Sequence, residues 1–208
     1  MEEKLNLISG DRITFGSYPT EADGTVRPVV WRVLEVKDDK ALIITEEAID
    51  AAPYNEQETD VTWETCSIRK YLNADMFDKL FSDSEKQLIC ETEHANPDND
   101  HYKVSGGNNT KDRLFLLSTP EAEAYFVPDT ERLCAATSYA EMRGASPYCG
   151  NCIWWLRSPG EDARSAAFVI VSVDVRGGRI DAAGGVRPAC TINVSDPEVI
   201  KSLLSGGN

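Results

Sequence analysis

Long apolar runs are missing from this chain: no stretch approaches the roughly 20 residues that a membrane-spanning helix needs. The opening, "MEEKLNLISGDRITF", also lacks the basic region followed by an apolar run that marks a secretory leader. Cations are scarce too. Lys and Arg total 21 against 35 Asp and Glu, giving a formal net charge of -14 and a pI near 4.6. Nucleic acid and anionic membranes are held mainly by Lys and Arg at phosphate, so neither is an expected partner. The chain reads as soluble, cytoplasmic as synthesised and without membrane insertion. Its final location is left open, and display on a virion or cell surface as part of a larger assembly is compatible with it.

Histidine is nearly absent. The two present, His94 and His101, lie in a polar stretch, so no serine or cysteine nucleophile has an evident base, and no carboxylate pair is placed for acid and base work. Glu91, Glu93, Asp98 and Asp100 flank the histidines without EF-hand spacing, which reads as an acidic, solvated loop rather than a cation site. Cys149 and Cys152 have the spacing of half a zinc knuckle or of a redox pair, but no second CxxC completes them. "SGGNNTKD" has glycines but no Gly-Lys-Ser/Thr, so it is no phosphate cradle. The expectation is a protein that is not an enzyme, with no catalytic residues, no metal and no cofactor.

What is present fits one domain over residues 1–208. With 41% hydrophobic residues the chain can bury a substantial core, and most of its six cysteines read as small buried hydrophobes. "RITFGSYP", "VVWRVLEV" and "ALIIT" read as antiparallel strands, the last two joined by a "KDDK" turn. In "TWETCSIRKYLNADMFDKLF", Trp63, Cys66, Ile68, Leu72, Met76, Phe77 and Leu80 form an amphipathic stripe broken near Asn73. Ser82 with Glu85 and Ser118 with Glu121 are capping boxes. The first predicts a helix through Leu88 and Ile89, and the second one over "AEAYF". A further helix is expected over 130–143, stopped by Gly144. Residues 91–112 are polar and rich in Asn, Asp and Gly, hence a long loop.

The last third returns to strands. Ala167, Val169, Val171, Val173 and Val175 alternate with Phe168, Ile170, Ser172, Asp174 and Arg176, which predicts a buried valine face and an outward face. Gly177-Gly178 reads as a two-residue hairpin turn that places Arg176 opposite Arg179 and Asp174 opposite Asp181. Like charges so opposed are unfavourable. Either their diagonals compensate on a solvated face, or the face is a recognition surface. "WWLRS" anchors this sheet: Trp154 and Trp155 point to opposite faces with indole N–H groups needing partners, and Arg157 can stack or fork onto a carboxylate.

Taken together, "ITFGSYP", "WRVLEV", "TWETCSIRKYLN", "DRLFLLSTPEAEAYF", "WWLRSPG", "AAFV" and "GVRPA" resemble a bacterial family of domains of unknown function. That family is similar to the C-type lectin fold of the formylglycine-generating-enzyme type, and some relatives are variable proteins of diversity-generating retroelements. The resemblance implies an α+β fold with antiparallel sheets and flanking helices, and a display region at about 161–185 that binds a protein or glycan ligand. Its implied variable positions are Asp162, Arg164, Ile170, Ser172, Asp174, Arg176, Arg179, Asp181, Ala182 and Ala183. Trp154, Trp155, Arg157, Val186, Arg187 and Pro188 match its fixed scaffold.

Retroelement mutagenesis changes template adenines, and AAC or AAT codons so altered never encode Lys, Glu, Gln, Met or Trp. None of these five residues occurs from Asp162 to Val194. The Glu-Pro-Asn, Gln-Pro-Asp and Trp-Asn-Asp motifs of calcium-dependent sugar lectins are absent, so the resemblance does not extend to calcium-mediated sugar binding. The alternatives are a formylglycine-generating-enzyme-like oxidase or metal enzyme using Cys149 and Cys152, or an interaction domain with one fixed partner. On the display reading, Val173→Asp abolishes folding, whereas Asp174→Ala and Arg176→Ala spare stability and weaken binding.

Overall fold

The computed structural model describes residues 6–206. Residues 1–5, the first part of the opening without a leader pattern, and 207–208 lie outside the described residues. Strands β1 (Arg12–Pro19), β2 (Val26–Lys37) and β3 (Lys40–Thr45) pair antiparallel as the sequence predicts. Only Asp38 and Asp39 separate the paired Lys37 and Lys40, and Asp38 takes φ 52, a left-handed value that such a turn requires and Asp tolerates. Val29, Trp31 and Val33 alternate inward along β2. β4 (Asp50–Pro53) follows.

The amphipathic stripe becomes α1 (Ser67–Tyr71), a π-helical turn (Leu72–Met76) and α2 (Phe77–Leu80), with all seven stripe residues buried. The break at Asn73 has a physical cause. Its side-chain oxygen accepts the backbone N–H groups of Arg113 (2.9 Å) and Leu114 (3.2 Å), and its amide donates to the Leu114 carbonyl (2.8 Å). A polar side chain thus serves as a backbone partner inside the helix face.

Both capping boxes form, opening α3 (Asp83–Lys86) and α4 (Thr119–Tyr125). α3 is shorter than predicted. Ile89 and Cys90 leave it as β5 (Ile89–Cys90), which pairs with Ile192 and Thr191. The helix expected over 130–143 also divides, into a 3-10 turn (Asp129–Arg132) and α5 (Ser138–Arg143), with Gly144 at φ 118 ending the latter. Between them the Cys134 carbonyl accepts the Cys152 N–H (2.8 Å) and the Ala135 carbonyl accepts that of Ala48 (2.9 Å). Tertiary hydrogen bonds there replace helical ones.

The remaining elements are β6 (Thr92–His94), β7 (Thr110–Asp112), β8 (Trp154–Pro159), β9 (Ser165–Val169), β10 (Val175–Arg179), β11 (Ala183–Val186), β12 (Ala189–Asn193) and α6 (Pro197–Ser205). Two five-stranded sheets, ordered β1-β2-β3-β12-β5 and β10-β9-β8-β11-β4, share a core, and β6 pairs with β7. Among the named strands of the described residues, pairing is antiparallel except where Gly185 of β11 meets Trp154 of β8. The architecture is mixed α+β.

The C-terminal hairpin differs from expectation. Its turn lies at 170–174, where Ile170 and Asp174 bond (2.9 Å) and the Val173 N–H donates to Ile170 (2.9 Å). Gly177 and Gly178 sit inside β10 opposite Ala167 and Ala166, and neither takes a positive φ. A Cβ on Gly178 would lie 2.1 Å from the Phe168 ring, so that glycine makes room for an aromatic instead of turning the chain. Arg176 is therefore opposite Phe168 and Arg179 opposite Ser165, and the like-charge opposition does not arise. The buried face ends at Val169; Val171, Val173 and Val175 are half-buried, which removes the reason for Val173→Asp to abolish folding. Val173 instead takes φ 69, an unfavourable region for a β-branched residue. Val173→Gly is expected to stabilise the protein by about 0.5 to 1 kcal/mol in urea unfolding, since relieved strain exceeds the added chain entropy. A loss of stability would show that the valine side chain's packing outweighs the strain.

Candidate functional site

Beneath residues 161–185, "WWLR" forms a buried anchor. Trp154 and Trp155 face opposite sides of β8 and both are buried. Their indole N–H groups donate to the carbonyls of Arg132 and Ala52, each at 3.0 Å. Trp154 packs against Phe126 and the Arg187 guanidinium, and Trp155 against Tyr54 and Phe168. Arg157 forks onto Glu121, with one arm at 2.7 Å, and also donates to the Leu116 carbonyl (2.9 Å). The same carboxylate accepts the Ser118 N–H that closes the cap of α4 (2.7 Å). Burial disfavours its charge, but Arg157 and the cap outweigh that and hold Glu121 below the usual carboxylate range. Val186, Arg187 and Pro188 are buried as well.

The polar 91–112 segment is held firmly over this anchor. Asn99 donates from its side chain to the carbonyls of Pro159 (3.2 Å) and Gly160 (3.0 Å), while its side-chain oxygen accepts the N–H groups of His101 (3.2 Å) and Tyr102 (3.3 Å). Asp98 accepts the Gly106 N–H (2.9 Å). Gly106 has no room for a side chain, since a Cβ would lie 2.2 Å and 2.4 Å from the carbonyl oxygens of Asn96 and Pro97. His94 does not share the solvated character expected of the loop. It belongs to β6, is buried and lies with its ring 3.9 Å from that of Phe115.

Between this pinned loop and the β8–β10 sheet runs a groove of about 390 Å³, lined in part by Pro97, Tyr102, Pro120, Pro159, Val175 and Arg176. That volume suits a compact ligand or one segment of a larger one. Tyr102 is 47% exposed and meets His101 edge-on at 4.5 Å. Asp98, Asp100, Glu123 and Glu161 also line it. Proline and aromatic faces ringed by hydrogen-bond acceptors can take an apolar side chain or the C–H face of a sugar ring.

Of the ten expected variable residues, eight are exposed and two, Ile170 and Asp181, are half-buried. Ion pairs gather them into separate clusters. Arg176 reaches Asp174 (3.3 Å), and Ser172 donates to the same carboxylate (3.3 Å). Arg179 meets Asp181 (2.7 Å) and Glu58 (3.5 Å), and Arg164 meets Asp60 (3.0 Å) while Asp162 caps its N–H (2.8 Å). Ala182 is exposed, and Ala183 lines a different cleft. The groove thus brings in Arg176 alone of the ten. Sequence reasoning missed its opposite wall, whose only signal was the concentration of Asn, Asp and Gly in the loop.

Cys149 is exposed in a turn at φ 51, whereas Cys152 is buried with its N–H on Cys134. The remaining cysteines are buried except half-buried Cys90, and burial raises the Cys66 thiol to about 12. Among the described residues no three His, Cys, Asp or Glu side chains gather where a metal ion could be held, and no helix is long and apolar enough to cross a membrane.

In comparisons with known proteins, the family described as Domain of unknown function (DUF6273) matches residues 38–194. Neither a curated protein nor a solved structure matches.

Proposed function

Because the chain belongs to the DUF6273 family, whose description carries no activity, we propose from its site that it is a ligand-binding protein and not an enzyme. On this reading the scaffold is a C-type-lectin-like fold related to the variable proteins of diversity-generating retroelements, and the groove with the adjoining 161–185 surface takes a protein or glycan ligand. The observation that carries it is the groove itself: a wall of fixed hydrogen bonds from Asn99 faces a sheet that presents Arg176. Arg176 falls within the 162–194 segment that lacks Lys, Glu, Gln, Met and Trp.

The mechanism is preorganisation. Both tryptophans, Arg157 and the capped α4 hold β8 in place, so binding requires little ordering and exposed side chains can change without unfolding the scaffold. Asp174→Ala, Arg176→Ala and Tyr102→Ala should each leave stability within about 0.5 kcal/mol of wild type, because exposed pairs contribute little. A much lower melting temperature for any of them would show that the surface is structural. The deciding experiment is codon-by-codon sequencing of the gene across its natural population, from Trp154 to Pro188. Substitutions confined to adenine-derived codons at the exposed positions are expected. A uniform segment would overturn variable display and leave a domain with one fixed partner.

A further inference from the structure

A second cleft, apart from the groove, is built around a buried carboxylate. β4 is the edge strand of its sheet, and α1 and α5 lie against it in place of another strand. Asp50, the first residue of β4, is 1% exposed, and both its oxygens are engaged. Oδ1 accepts the Ala51 N–H (2.7 Å) and Arg143 Nε (3.1 Å); Oδ2 accepts the hydroxyls of Tyr18 (2.8 Å) and Tyr71 (2.5 Å), which are themselves 2.8 Å apart. Burial and the neighbouring Asp50 charge raise both phenols well above their ordinary range, so they remain donors.

This network fixes Arg143 by Nε alone. The side chain is still 46% exposed, and among the described residues its two Nη groups have no hydrogen-bond partner. Arg143 lines a cleft of about 660 Å³ together with Lys70, Ser67 and Tyr71. Among the described residues Lys70 is in no ion pair either, although charged partners are common elsewhere on this acidic chain. Small side chains, Ala51, Ala52, Ala74 and Ala183, keep the cleft open, and Ala74 belongs to the π-helical turn, a distortion frequent at functional sites.

We propose that this cleft binds a small organic monocarboxylate, whose carboxylate takes the free Nη edge of Arg143 and the ammonium of Lys70. A planar guanidinium whose orientation is already fixed matches the two oxygens of a carboxylate. Glu56 and Asp75, also on the lining, disfavour a doubly charged anion such as phosphate and can accept from a hydroxyl on the ligand. The proposal does not rest on the groove or on sequence variability.

The test is an amide-resolved NMR titration of the full chain with lactate, and in parallel with inorganic phosphate. Lactate should give saturable shifts at Ser67 and Ala183 and none at Tyr102. Arg143→Gln should weaken it by at least about tenfold, the loss of a charge-assisted bidentate contact. Lys70→Gln, at an exposed and unpaired position, should fold as wild type and weaken lactate by a few fold, which keeps the test decisive if Arg143→Gln unfolds. Absence of saturable shifts, undiminished lactate binding in Lys70→Gln, or tighter binding of phosphate than of lactate would each overturn the proposal.

Discussion

Replacing Arg157 with Met is expected to destabilise the protein by about 3 to 5 kcal/mol in urea unfolding at neutral pH, the range for stripping one partner from a buried ion pair. Arg157 is 4% exposed, and its guanidinium serves both the Glu121 carboxylate and the Leu116 carbonyl. Methionine fills the volume but leaves Glu121 partly buried without its counter-charge and Leu116 without that donor. Glu121→Gln should cost about 2 to 4 kcal/mol, because it strands the Arg157 charge even though the amide oxygen can still accept the Ser118 N–H. The double variant should lose less than the two single losses combined, since neither charge is then stranded. An Arg157→Met protein within about 1 kcal/mol of wild type would show that the fork is incidental. The consequence reaches the groove, because the Pro159 and Gly160 carbonyls that hold Asn99 lie two and three residues beyond Arg157.

How far the fold could be read from the sequence depended on how local its causes are. β1 to β3 and the helical stripe follow from periodicity, and the two capping boxes from side chains three residues apart. Even the irregularity at Asn73 was visible as a break, though its partner at 113–114 was not. Failures came where distant backbone groups decided the outcome. Ile89 and Cys90 fill a strand position beside β12, and Cys134 and Ala135 bond across to Cys152 and Ala48 instead of completing a helix. Gly177-Gly178 has the composition of a tight turn, yet the Phe168 ring claims the space a side chain at Gly178 would occupy. Charge marked most of the expected variable residues as exposed, but the alternation read through 170–174 crosses a turn and Ile170 and Asp181 are half-buried, while the groove left no such mark. Its second wall is joined to the sheet by Asn99, about sixty residues away in sequence from the carbonyls it binds. Glu58 and Asp60, which bind Arg179 and Arg164, carried no signal beyond their charge.

His94 should make the protein acid-sensitive in a window where few other groups act. Its pKa falls from 6.5 to about 4, first because burial disfavours the imidazolium and next because Arg157 is nearby; Glu121 and Asp112 pull weakly the other way. Its Nε2 has no partner, so the ring is best accommodated neutral against Phe115. Well above pH 6.5 the ring is neutral both folded and unfolded, and it makes no pH-dependent contribution. As pH falls below that, the unfolded chain takes up a proton that the folded chain refuses, so stability falls until the folded value is reached near 4. Between pH 7 and pH 5 the loss assignable to His94 is about 2 kcal/mol. Glu46 and Glu121, whose folded values are lowered, contribute stability that is lost only at lower pH, as each is titrated. His94→Phe keeps a ring on Phe115 and removes the titrating group, so its stability should change less between pH 7 and pH 5 than that of wild type, by the same amount. Parallel pH profiles for the two proteins would mean that the buried imidazole accepts its proton in place, and that the β6 strand opens to solvent more readily than its packing against Phe115 implies.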